Sequence, residues 1–567
     1  MPPESIERLL DRLDDVKRRA GRPGSEQTVK LLAALEKRRL PEADSLIRFH
    51  EILLFLRAYP QSPVVLRKAE RALISFPRRI EAFGRAGGDL LAFEAPEISG
   101  IAGTSLTSTF SYYIARWLAQ RHYAEVSIDW DGYEETARLG ASWPRFLPLL
   151  EEDALVEANV PYMEWLRAAT GRTRSDLSWL VERFERLPLS DREKAETYDA
   201  LKLWVRWTPA SFKVTRTGMK QRVREVFYQT EPMVRRSDVS LARELEGSAL
   251  RLKKLSRREG ARILELIRDT STIRYRELHG FTFGDAERVL HARAGRGVEF
   301  FFNGVPPDYR LPLRAYHSAF ILRNGVPLGY AEGISLFERM EIGFNIYYTF
   351  REGESAWLYA QILRLYRQLL GVTAFSVDPY QIGFENEEGI ESGAFWFYRK
   401  LGFRPVREEL MSLTLREEQR VEARPGYRTS PQTLRKLSVG HMLFETPPST
   451  RSHWDRFQVR NLALAVQRRM AARFGGDAAK IRRASTASVA RALAVEPSEW
   501  SEAEQRAFEN LSLVLALIPD LGRWPEEEKR GVARIIRAKA GAEESRYLRL
   551  MQRHSRLRRE IIKLGSA

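Results

Sequence analysis

Through the first 88 residues apolar positions recur at helical spacing, as Ile6, Leu9, Leu10 and Leu13 do, and Pro or Gly closes most segments. This predicts a helical bundle over 1–88. Beyond a connection rich in small residues at 86–104, segments such as "TFSYYIARWLAQRHY" and "DREKAETYDALKLWVRW" keep the helical period, giving a second helical region over 105–256. From about 295 the pattern changes to alternating aromatic and β-branched residues, with Asn324-Gly325 as a hairpin turn between two such runs. Across 341–371 the period switches from two to 3.6, at a loop containing Gly353 and Ser355, and Gly371 is placed to end the helix. A further strand, "TAFSVDP", leads to an aromatic helix that closes on "FYRKLGF" with Gly402 at its end, and "FRPVREELMSLTL" reads as a last strand. An α+β domain with leading helices is therefore predicted over 257–420. Pro425, Gly426, Pro431 and the run "ETPPSTRS" predict a linker over 421–450, after which 451–567 returns to helical spacing. The fold class is α+β: a central mixed sheet with helices, flanked by N-terminal and C-terminal all-helical regions.

A chain of 567 residues exceeds a single hydrophobic core, in keeping with several units. With no cysteine, disulfides, thiol catalysis and Cys-ligated metal are excluded. The eight histidines show no His-x-x-His or His-Glu-x-x-His spacing, so no metal site is expected from them. "IDWDGYEE" puts Asp129 and Asp131 in a D-x-D pair, which suits either a divalent cation under a nucleotide sugar or two acids in an exposed turn. No apolar run reaches the roughly 20 residues of a membrane span, and the start, "MPPESIERLLDRLDD", is an acidic amphipathic helix; a cytoplasmic protein is expected. The net charge is +17, and 451–567 holds 24 Lys and Arg against 14 Asp and Glu. Such an excess is either a solvated Arg-rich surface or a contact for a polyanion such as nucleic acid, made through the basic C-terminal helices.

A strand running through a small-residue loop into a helix N-terminus makes a place for phosphate, because the first backbone N–H groups of a helix lack internal partners and carry partial positive charge. That unit, followed by "TAFSVDP" and then "YRKLGFRPV", resembles the GNAT superfamily of acyl-CoA-dependent N-acyltransferases over about 295–415. The resemblance implies a GNAT-like central sheet and transfer of an acyl group from acetyl-CoA or another acyl-CoA to an amine-bearing acceptor, a small molecule or a protein. It implies cofactor contacts from Ile346, Tyr347, Tyr348, Arg351, Gly353, Glu354, Ser355 and Ala356. It also implies Tyr398 as the acid that protonates the leaving thiolate, and Glu341, with Glu332 second, as the base. The chain departs from the family's loop pattern at Phe350, where Gln or Arg is usual, and at Ser355; Glu391 stands where asparagine is frequent. The alternative reading, from another class, is a GNAT-like scaffold without catalysis that binds a polyanion.

Overall fold

The computed structural model describes residues 4–150, 152, 159–171, 175–446 and 453–566. Four helices, Ile6–Val16, Gly21–Glu36, Ala43–Ala58 and Pro63–Arg85, open the chain. Their buried faces, which include Leu13, Leu32, Phe49 and Phe76, are continuous with the core of the central sheet.

The region 105–256 is not purely helical. Three short strands, β1 (Leu106–Ser108), β2 (Val126–Ile128) and β3 (Val205–Trp207), form an antiparallel sheet in the order β1-β3-β2. Helices Tyr112–Arg121 and Asp176–Glu185 pack around it, over a separate core holding Trp143, Trp207 and Phe184. Three-residue strands lie below what alternation can signal.

The central sheet has nine strands: β4 (Arg251–Lys254), β5 (Leu290–Gly295), β6 (Val298–Gly304), β7 (Ala315–Arg323), β8 (Val326–Leu336), β9 (Arg339–Ile346), β10 (Ala374–Val377), β11 (Arg404–Pro405) and β12 (Met442–Glu445). Their order is β11-β12-β10-β9-β8-β7-β6-β5-β4. From β4 to β9 the pairs are antiparallel. The β7–β8 turn has Asn324 at φ 49° and Gly325 at φ 78°, the left-handed pair expected of a two-residue hairpin. A Cβ on Gly325 would lie 2.1 Å from the Gln221 carbonyl oxygen, so only glycine fits.

β9 and β10 run parallel, and the helix Ser355–Leu370 makes the crossover between them. Leu358, Ile362 and Leu365 of that helix are wholly buried, and the Tyr366 hydroxyl donates to the Ala331 carbonyl at 3.1 Å, fixing the helix on one face of the sheet. Gly371 ends it at φ 70°, as its position predicts.

Two expectations fail beyond Phe403. Only Arg404 and Pro405 extend as a strand; "EELMSLTL" belongs to the helix Glu408–Ala423, where Leu410, Thr414 and Glu417 are buried at spacings of four and three. Apolar residues alternating with Ser412 and Thr414 over 411–415 imitate a strand when the longer helical period is not weighed. The supposed linker 421–450 contains the helix Pro431–Leu437 and then β12, which inserts between β10 and β11.

The C-terminal helices, from Val459–Phe474 to Ser555–Gly565, dock on the sheet. The Tyr547 hydroxyl donates to the Leu313 carbonyl at 2.6 Å, and Gln552 Nε2 donates to the carbonyls of Phe337 and Leu370 at 3.0 and 2.9 Å. Among the described residues no helix is long and apolar enough to cross a membrane.

Candidate functional site

β9, β10 and β12 lie side by side, and their register decides which side chains meet. Glu341 pairs with Ser376, and Ser376 with Leu443. Asp378 and His441 each lie two residues further along, so strand alternation puts Glu341, Asp378 and His441 on the same face of the sheet. Their ligand-type atoms all lie within 4.8 Å of one another, and each residue is partly exposed. The three border a cleft of about 290 Å³ walled by Arg314, Ile334 and Arg339 and, from the C-terminal region, Phe457, Gln458 and Arg460.

The charges in this cleft are partly fixed. The Arg314 guanidinium lies 3.7 Å from the Glu341 carboxylate. Arg339 is held by Ser376 Oγ at 3.2 Å and by the Phe457 carbonyl at 3.2 Å, and it packs against the rings of Trp454 and Phe457. Asp378 accepts the Tyr380 N–H at 2.9 Å through one oxygen, capping a short turn. His441 is pushed below the ordinary histidine range by burial and by Arg339, against the pull of Glu341 and Asp378, so the ring is held toward its neutral form. Its Nδ1 is buried without a hydrogen-bond partner.

Of the other residues expected to act, Glu332 is closed in: it accepts the Tyr316 hydroxyl, which in turn accepts the Gly280 N–H at 3.0 Å. Burial pushes its carboxyl up, against the hydrogen bond from Tyr316. Tyr398 is buried, its hydroxyl has no partner, and burial raises it above the ordinary tyrosine range. Its ring packs edge-on against Tyr359 at 5.6 Å and Phe403 at 5.7 Å, and Phe403 lies 5.6 Å from Phe444. Phe444 pairs with Phe375, one residue out of phase with Leu443 and Ser376. Tyr398 therefore belongs to the helix-covered face, opposite Glu341.

Past Gly343 the free edge of β9 is occupied by the chain itself. The Phe344 N–H donates to Gln381 Oε1 at 3.4 Å, and the Ile346 carbonyl accepts from Arg351 Nε at 3.3 Å. The Tyr347 N–H donates to the Leu328 carbonyl at 2.9 Å, and its ring lies 4.3 Å beneath Arg274. In the loop, Tyr348 is exposed, and Ser355 Oγ donates to the Arg351 carbonyl at 3.0 Å. Glu354 is fully buried, accepts the Val234 N–H at 2.9 Å and pairs with Arg323 and Arg296, while Ala356 is buried behind it. The N-terminal helices close over this loop. Lys17 pairs with Glu352 at 2.7 Å, and a Cβ on Gly353 would lie 2.5 Å from the Tyr59 hydroxyl oxygen.

The D-x-D pair offers little to a cation, because both Asp129 oxygens lie 3.0 Å from Arg206 Nη2. Arg339, Asp378 and His441 were not among the expected site residues; they are brought to Glu341 by strand register. Compared with known protein families, curated proteins and solved structures, the chain matches none.

Proposed function

We propose that the chain is an N-acyltransferase with a GNAT-like central domain, acting in the cytoplasm, in which Glu341 takes a proton from an amine and the amine nitrogen attacks the acyl carbonyl of an acyl-CoA. The C–N bond forms as the C–S bond breaks, and Tyr398 returns a proton to the departing thiolate; each proton transfer contributes on the order of 10² to 10⁴ in rate. The observation that carries this reading is that Glu341 opens into a cleft beside the parallel strands β9 and β10. Asp378, on the same face, adds a second acid attractive to a cationic amine. A donor reaching from Glu341 toward Tyr398 passes between β9 and β10, displacing the Gln381 side chain from Phe344. Calorimetric titration with acetyl-CoA tests the reading: saturable binding is expected, and no binding up to millimolar cofactor overturns it.

A second reading, a scaffold without catalysis that binds a polyanion, is favoured by the closed loop. Glu352 and Glu354 place two carboxylates where a pyrophosphate would sit, and Tyr59 covers Gly353. On this reading nucleic acid binds with an affinity that falls steeply with salt and is lost on deletion of 451–567.

A further inference from the structure

We propose that Glu341, Asp378 and His441 form a binding site for a divalent first-row transition metal such as Zn²⁺ or Mn²⁺, with its remaining coordination positions open to the cleft. Two carboxylates and one imidazole, one on β9 and two just beyond the ends of β10 and β12, bring their donor atoms within 4.8 Å of one another. Donors that share one ion at 2.0–2.2 Å lie about 3.0–3.5 Å apart in tetrahedral or cis positions, so side-chain movements on the order of 1 Å close the set. Two oxygen donors and one nitrogen suit an ion of intermediate hardness better than Mg²⁺ or Ca²⁺, which take oxygen alone.

Three further observations point to a cation. His441 Nδ1 is buried without a hydrogen bond of good geometry, the Val377 backbone being the ring's other polar neighbour, so the imidazole is only weakly satisfied within the chain. Glu341 is compensated by Arg314 at 3.7 Å and by Arg339, but among the described residues no cation pairs with Asp378, whose carboxylate stands close to that of Glu341. Glu341 projects from β9, and Asp378 and His441 each lie one residue beyond the paired ends of β10 and β12, so strand register holds all three in place. The cleft's 290 Å³ leaves room for water or a small ligand on the ion's open side, and Arg460 lines the same cleft, as a partner for an anionic ligand. The proposal is independent of the acyl-transfer reading: where an ion is bound, Glu341 is a ligand and no longer a free base.

The test is calorimetric titration of the chelator-treated full chain with ZnCl₂ and MnCl₂, read alongside the visible spectrum of the Co²⁺-loaded protein. One ion per chain is expected, with affinity falling at least tenfold in Glu341→Gln, Asp378→Asn and His441→Ala and the Co²⁺ bands changing in each. His453, exposed beside Arg558 and outside the cluster, serves as control. Binding that is absent, that survives all three substitutions in chains whose metal-free thermal unfolding matches the parent, or that is lost in His453→Ala overturns the proposal. Because the readout is the metal alone, a failed acetyl-CoA titration leaves this result standing, and the reverse holds as well.

Discussion

Arg323, at the end of β7, and Glu354, at the start of the crossover helix, form an ion pair from which solvent is excluded on both sides. Arg323 Nη2 also donates to Gln229 Oε1 at 2.8 Å, and the guanidinium lies 4.0 Å from the Tyr59 ring centroid. Burial pushes the Glu354 carboxyl up, but Arg323, Arg296 and the Val234 N–H outweigh it and hold it below the usual carboxylate range. The pair joins the hairpin, the crossover helix and the N-terminal bundle in a single contact.

Removing one partner leaves the other buried and uncompensated. Glu354→Gln is expected to lower stability by about 3–5 kcal/mol, while Arg323→Met with Glu354→Leu costs less than either single change. Urea unfolding of Glu354→Gln, of Arg323→Met and Glu354→Leu singly and of their combination decides it: a Glu354→Gln loss under about 1 kcal/mol contradicts the burial of this charge.

Gly353 is needed for room. An added Cβ would meet the Tyr59 hydroxyl oxygen at 2.5 Å, its Cζ at 2.7 Å and the Phe350 carbonyl oxygen at 3.0 Å. Gly353→Ala is therefore expected to cost about 1–3 kcal/mol, as overpacking does. Part of the loss should return when Tyr59→Leu withdraws the phenol. A Gly353→Ala chain as stable as the parent shows that the N-terminal bundle does not press on the loop.

The same interface predicts an acid limb. Glu51 pairs with Arg216 at 2.7 Å and is hydrogen-bonded to His50 and to Thr349, next to the loop. Burial raises its carboxyl, yet Arg216 and these hydrogen bonds outweigh burial and bring it to about 2. A depressed folded value stabilises above the unfolded value near 4.3, so the contribution is full at neutral pH and fades as pH falls toward 2. About two units correspond to roughly 3 kcal/mol. The stability difference between the parent chain and Glu51→Gln is expected to shrink as pH is lowered from 5 to 2.5; a difference that does not vary with pH removes Glu51 from this role.

What could be read from the chain before its structure follows from range. The Asn324-Gly325 hairpin, the switch of period at 341–371 and the stop at Gly371 are local features, and each forms as predicted. β12 is four residues long and follows a run rich in Pro and Gly, so its strand character comes from pairing with β10 rather than from its own pattern. His441 was hidden for that reason. Its meeting with Glu341 is set by the register of three strands distant in sequence, which no spacing rule detects. Glu341 as base and Tyr398 as acid both came from family likeness, which does not show that strand parity puts the two on opposite faces of the sheet. The closing of the loop by Tyr59 and Lys17 is likewise a contact between regions, invisible to a reading of either region alone.

Tyr398 separates a structural role from a chemical one. Its hydroxyl is buried without a partner, so deleting the oxygen removes an unsatisfied polar group at almost no change of shape. Tyr398→Phe is expected to unfold in urea within about 0.5 kcal/mol of the parent or to gain up to about 1 kcal/mol. If the phenol is the acid of the transfer, the same variant keeps its affinity for acetyl-CoA and loses turnover by on the order of 10² or more. Loss of stability above about 1 kcal/mol points to a hydrogen bond that the static geometry does not contain. Unchanged turnover in a stable variant takes the proton transfer away from Tyr398 and leaves the chemistry to the opposite face, where Glu341, Asp378 and His441 meet.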